Sequence, residues 1–124
     1  MSFATDKAAL LALLLVVVLM AAGQLLFKST ALSWHAHGSL LTPTVLLRLL
    51  VALSVYGVAT IAWIWVLQRA PLNLAYPLVA LTFVLVPLGA RWMFGETVGM
   101  RYWIGVGLIV AGIMVAMSAR PASP

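Results

Sequence analysis

Cysteine is absent from the 124 residues, which excludes disulfides, thiol catalysis and thiolate metal sites. Charge is scarce as well: 7% of residues are charged, and the only carboxylates are Asp6 and Glu96. Neither carboxylate stands within a long apolar run, so a proton relay of the kind transporters build inside the membrane has no carrier. Polar stretches are too short to form a soluble catalytic domain. No enzymatic activity, no catalytic residue, no metal and no cofactor is therefore expected.

What remains is apolar. Hydrophobic residues make up 65% of the chain, a composition that water-soluble folds of this length do not carry. A helical span needs about 20 mostly apolar residues, and four fit, roughly over 8–27, 44–67, 74–94 and 100–117. The reading is an all-α membrane protein in which residues 1–124 form a single domain of four transmembrane helices. Its partners are then the lipid bilayer and something that sits in it. The net charge of +5 would suggest nucleic acid in a soluble protein. Here the Lys and Arg stand singly at helix ends, which excludes a nucleic-acid patch. Lys7 precedes the first apolar run and Ala21-Ala22-Gly23 falls near its end, as in a secretory signal, but the run is longer than a signal core and is read as a retained span.

The connections set the arrangement. Ser33 to Ser39 is polar and reads as the longest loop, with Pro43 suited to open the second helix. Gln68 to Asn73 is long enough only for a tight turn, so the second and third helices are antiparallel neighbours. Pro77 and Pro87 predict a kink or unwound turn in the third helix, and Gly95 to Gly99 makes the last turn. By this connectivity Lys7, Arg69 and Arg120 lie on one side of the membrane, and Lys28, Arg48, Arg91 and Arg101 on the other. So even a split gives no positive-inside bias and permits insertion in both orientations.

Four helices packed on one another enclose no substrate-sized cavity. A transport path therefore calls for a homodimer or a paralogous second subunit. Gly105, Gly112 and Ala116 place small residues on one face of the fourth helix, the pattern of a close helix–helix contact and the expected dimer interface.

Polar groups in or near hydrocarbon are expensive, about 2.5–3.5 kcal/mol for a central Arg or Lys, and each asks for a reason. Gln24 and Lys28 are four residues apart on one helical face, an amide and an ammonium suited to a sugar hydroxyl and a phosphate. Two readings stay open for them: substrate contacts, or a Gln bonded to a neighbouring helix beside a Lys that snorkels. Arg48 and Arg91 fall on the same side, and guanidinium forks bind phosphate oxygens bidentately; headgroup anchoring accounts for them equally well. Glu96 either pairs with Arg91 or Arg101 and caps the fourth helix, or faces a cationic group of the substrate. Tyr76 is either a substrate contact or part of an aromatic belt. His35 and His37 lack a third ligand for a metal.

Gly23-Gln24-Leu25-Leu26-Phe27-Lys28, with Trp65 to Pro71, Ala75-Tyr76-Pro77-Leu78, Phe94-Gly95-Glu96, Trp103 to Val106 and Ala111-Gly112-Ile113, resembles the small subunits of the aminoarabinose-phosphoundecaprenol flippase in the drug/metabolite transporter superfamily. The order and spacing are kept over nearly the whole chain. The resemblance implies a small multidrug resistance-like fold and a polyprenyl-phosphate-linked sugar as substrate. It also implies transfer of that substrate between the leaflets of a bacterial inner membrane. Lys28 and Gln24, joined by Arg48 and Arg91, are where the headgroup is then expected. The related multidrug exporters carry an essential Glu three residues before the glycine that matches Gly23; this chain has Met20 there, which argues against proton-coupled export of cationic drugs. A third possibility is an accessory membrane subunit of a glycosyltransferase.

Overall fold

The structure, a computed structural model, describes residues 7–119; Asp6 and Arg120, weighed above, lie outside them. The described residues form helices α1 (Lys7–His37), α2 (Pro43–Leu67), α3 (Leu72–Val79), α4 (Thr82–Phe94) and α5 (Met100–Ser118), with no strand among them. Four stretches are long and apolar enough to cross a membrane: α1, α2, α3 with α4 as one broken span over Leu72–Phe94, and α5.

The first helix does not end near Phe27 but continues to His37, through the segment expected to be a loop. Thr30, Ser33 and His37 of this continuation are bonded within the helix. Thr30 Oγ1 donates to the Leu26 carbonyl at 2.9 Å, and His37 Nδ1 lies 2.8 Å from the Ser33 carbonyl oxygen, one of the last carbonyls of the helix. No Pro or Gly intervenes until Gly38, whose φ of 75° ends the helix in the left-handed conformation that glycine adopts without strain. Pro43 then opens α2 at its first turn, where a missing N–H leaves nothing unsatisfied.

The third span is broken at Ala80 and Leu81, between its two prolines. The Ala80 and Leu81 N–H groups bond the carbonyls of Pro77 and Leu78, and Phe83 and Val84 bond those of Ala80 and Leu81, a short run of tighter 3₁₀-type turns. Pro87 removes one N–H from the ladder and its ring crowds the carbonyl of the preceding turn. The distortion is taken up upstream of it.

α1 is the central element, lying against α2 and α4. Small residues bring it close. A Cβ on Gly23 would sit 2.6 Å from Cδ2 of Tyr56, so α2 approaches α1 only because residue 23 has no side chain. The Tyr56 ring also meets Phe27, with centroids 5.4 Å apart. On another flank a Cβ on Gly89 would meet a methyl of Leu25 at 2.5 Å, which sets the α1–α4 contact. Near the Lys7 side, Ala9, Leu13, Val16, Val66, Ala70 and Ala75 form the buried cluster that joins α1, α2 and α3. α5 packs chiefly on α3, and Val106 is its one buried residue.

Candidate functional site

On the Lys28 side the chain brings together most of its charged groups. α4 ends at Gly95, which adopts φ 69°, and the Gly95 and Glu96 N–H groups return to the carbonyls of Arg91 and Ala90. This reversal presents Glu96 to α1, where its Oε1 lies 3.5 Å from Nζ of Lys28. The expectation that Glu96 pairs with Arg91 or Arg101 and caps the last helix is corrected. Its partner is Lys28, and α5 opens at Gly99 with no side-chain cap. The physical reason is the extra turn of backbone: a glycine in the left-handed conformation swings residue 96 off the helix it follows and toward the neighbouring one.

Arg48, in the second turn of α2, donates from Nη1 to the hydroxyl of Ser29 on α1. Ser29 was not singled out by its sequence context; its position directly after Lys28 was the available signal. Successive residues point about 100° apart around a helix, so Lys28 and Arg48 are held on different flanks of α1 rather than gathered into one clamp. Beside Arg48 a cleft of about 290 Å³ runs between α1 and α2, lined by Leu26, Ser29, Thr44, Leu47, Arg48 and Val51. Its walls are apolar apart from the Ser29–Arg48 end and the Thr44 hydroxyl.

Gln24 is exposed on the same face as Lys28 and has no side-chain hydrogen bond among the described residues. An exposed amide at this depth on an apolar helix favours a polar partner from outside the chain. Arg91 is exposed in the last turn of α4.

Tyr76 lies at the other end of the molecule. Its neighbour Ala75 clusters with Leu13, which is about 22 Å along α1 from Lys28 at about 1.5 Å per residue. Tyr76 is 65% exposed and lines an open cleft with Trp63, Leu72, Asn73 and Pro77. It shares no site with Lys28, Arg48 or Glu96. Close by in the sequence, the Arg69 guanidinium stacks over Trp65 at 3.7 Å and so has an aromatic partner on the Lys7 side.

Met20 packs against the apolar cluster around Leu13 and Val16, so the first helix offers no ionisable group at that position. No three His, Cys, Asp or Glu among the described residues are placed to share a metal ion. On α5, a Cβ added at Gly105 or Gly112 would meet nothing within 4 Å, and Ala116 is exposed. The face of small residues is therefore not used within the chain.

No family model matches the chain, and no solved structure does. Curated proteins do. The chain is 43% identical over 111 residues to the probable 4-amino-4-deoxy-L-arabinose-phosphoundecaprenol flippase subunit ArnE of Serratia proteamaculans, covering 90% of this chain and 96% of that protein. It is 43% identical over 104 residues to the protein of the same name from Sodalis glossinidius, covering 84% and 92%. With that of Aeromonas hydrophila it shares 37% identity over 110 residues, 86% and 94% of the two chains. These relatives are named as flippase subunits, which are transporters rather than enzymes. With this identity over nearly the full length of both chains, and with four membrane-crossing segments, the protein belongs to the family of aminoarabinose-phosphoundecaprenol flippase subunits, multi-pass proteins of the bacterial inner membrane.

Proposed function

We propose that this chain is one subunit of a flippase that moves a monosaccharide linked to undecaprenyl phosphate between the two leaflets of the inner membrane. The observation that carries the reading is Arg48. It stands, steadied by Ser29, at the polar end of a cleft whose walls are otherwise largely apolar. A polyprenyl phosphate has the same division, a long apolar tail ending in an anion. A guanidinium whose neighbour is a hydroxyl rather than a carboxylate keeps its full charge for phosphate oxygens. Lys28, Gln24 and Arg91 supply further donors around the same end of the molecule. Taking a phosphate and a sugar through bare hydrocarbon is prohibitive, whereas a polar track along helices passes the headgroup while the tail stays in lipid.

One chain offers only half of such a track. The uncovered face of Gly105, Gly112 and Ala116 is read as the contact with a second four-helix subunit, a further copy or a paralogue. The test is transfer of glycosyl phosphoprenol between leaflets of proteoliposomes, with this chain alone and together with a paralogous subunit. Arg48→Ala and Lys28→Ala are each expected to lower the rate tenfold or more with the helical content kept. Unchanged rates in both variants would overturn the reading.

A further inference from the structure

We infer that Arg69, held over Trp65, is a second phosphate seat for the transported lipid, at the membrane face opposite Arg48, with the lipid tail in the apolar cleft between α1 and the last turns of α2. The inference rests on the flippase reading above. It deepens that reading by adding a binding site in the other leaflet.

The cleft takes up about 350 Å³ and is lined by Ala12 of α1 and by Val58, Ile61, Ala62 and Trp65 of α2. Its walls are hydrocarbon and one indole. Trp65 is the last of the α2 residues in this lining, and the Arg69 guanidinium lies 3.7 Å from the centroid of its ring. Stacking occupies one face of the guanidinium and leaves the N–H donors in its plane open to a phosphate. Arg69 is exposed, and the only carboxylate among the described residues, Glu96, is paired with Lys28 at the other end of the molecule. Charge and lining together therefore match an anion that carries a long apolar chain.

The same combination occurs beside Arg48, and the two clefts are related. Both open between α1 and α2. Thr44, Val51, Val58 and Trp65 follow one another at intervals of seven along α2, so the linings share one stripe that drifts only about 20° per heptad. From Arg48 to Leu67 the helix rises about 29 Å, close to the hydrocarbon thickness of about 30 Å, and Arg69 stands in the turn just beyond. A lipid inverts when it changes leaflet, so its second seat must be the reverse of the first. Its anion belongs at the opposite face, and its tail again points toward the midplane. Arg48 with Leu47 and Val51, and Arg69 with Trp65, Ile61 and Val58, stand in that relation.

The experiment uses a phosphoprenol with a photoreactive diazirine in its tail, added to proteoliposomes that hold the protein with its partner subunit. Labelled residues are located by tandem mass spectrometry. In the intact protein the label is expected on both stretches of α2, Leu47 to Val51 and Val58 to Trp65. An excess of unlabelled phosphoprenol should lower both at least fivefold, and the same excess of phosphatidylglycerol should lower neither by more than twofold. Arg69→Gln is expected to cut the label at Val58 to Trp65 at least fivefold while that at Leu47 to Val51 stays within twofold, and Arg48→Gln should do the reverse. The label kept at the opposite end shows that each variant is folded. Label at Leu47 to Val51 alone, or label at Val58 to Trp65 that phosphatidylglycerol displaces as well as phosphoprenol does, would overturn the inference and leave the flippase reading intact. So would label there that persists in Arg69→Gln, or loss of both labels in that variant, the mark of a structural arginine. Label at neither stretch of the intact protein would overturn both readings.

Discussion

The first two spans and the last two are all apolar enough to cross a membrane and are unlike in what they touch. In the most apolar stretch of α1, 28% of residues are buried within the chain, and in α2 17%; in the broken third span and in α5 the share is 6% each. The difference comes from how small residues are used. Ala9, Gly23, Ala52 and Ala59 are buried in the first pair, where they let the α1 and α2 backbones approach. Gly105, Gly107 and Gly112 on α5 lie open. Apolarity brings a helix into the bilayer but does not choose its neighbours, since lipid tails are as apolar as leucine. Small residues choose them, and here one set is used inside the chain while the other remains uncovered.

That contrast can be broken at single positions. The largest effect is expected at Gly23→Leu, where an isobutyl group would enter the space of the Tyr56 ring. Overpacking of this kind should destabilise the chain by about 3 kcal/mol, read as a lower unfolding midpoint in detergent. A variant as stable as the original would mean that the α1–α2 contact is looser than described. Next is Gly112→Leu. It meets nothing within the chain, so unfolding of the monomer should be unchanged, while association in lipid should weaken tenfold, about 1.4 kcal/mol. Loss of monomer stability without loss of association would reverse the roles assigned to the two halves. The smallest effect is expected at Gly89→Ala. Its Cβ meets only the side chain of Leu25, most closely one methyl, which can turn aside, and the better helix propensity of Ala, worth about 1 kcal/mol, offsets the displacement. The unfolding midpoint should shift little in either direction.

Much of the architecture was legible in the sequence because membrane spans announce themselves by length and apolarity alone. The four spans and the tight turn before α3 follow from that rule. The continuation of α1 to His37 did not, because Thr30, Ser33 and His37 look like loop residues until their hydrogen bonds to helix carbonyls are seen. Likewise Pro77 and Pro87 predicted a break without locating it, since the strain of a missing bond spreads over neighbouring turns. Among the candidate site residues, Gln24, Lys28, Arg48, Arg91 and Glu96 share one end of the molecule, as connectivity required. Which groups pair there depended on the left-handed turn at Gly95 and on the hydroxyl of Ser29. Tyr76, equally conspicuous in the sequence, sits at the opposite end.

The length of α1 has a consequence for the membrane itself. Its 31 residues span about 46 Å at about 1.5 Å each, against a hydrocarbon layer of about 30 Å. Tilt absorbs part of the excess, and Lys28, about 32 Å along the helix from Lys7 at about 1.5 Å per residue, is expected near the far boundary. In a thicker bilayer the boundary moves outward past Lys28, the surroundings of the Lys28–Glu96 pair become less polar, and the pair tightens. In a thinner one both charges are hydrated and part easily. The ease with which this half-exposed ion pair opens is therefore expected to depend on the thickness of the bilayer around it.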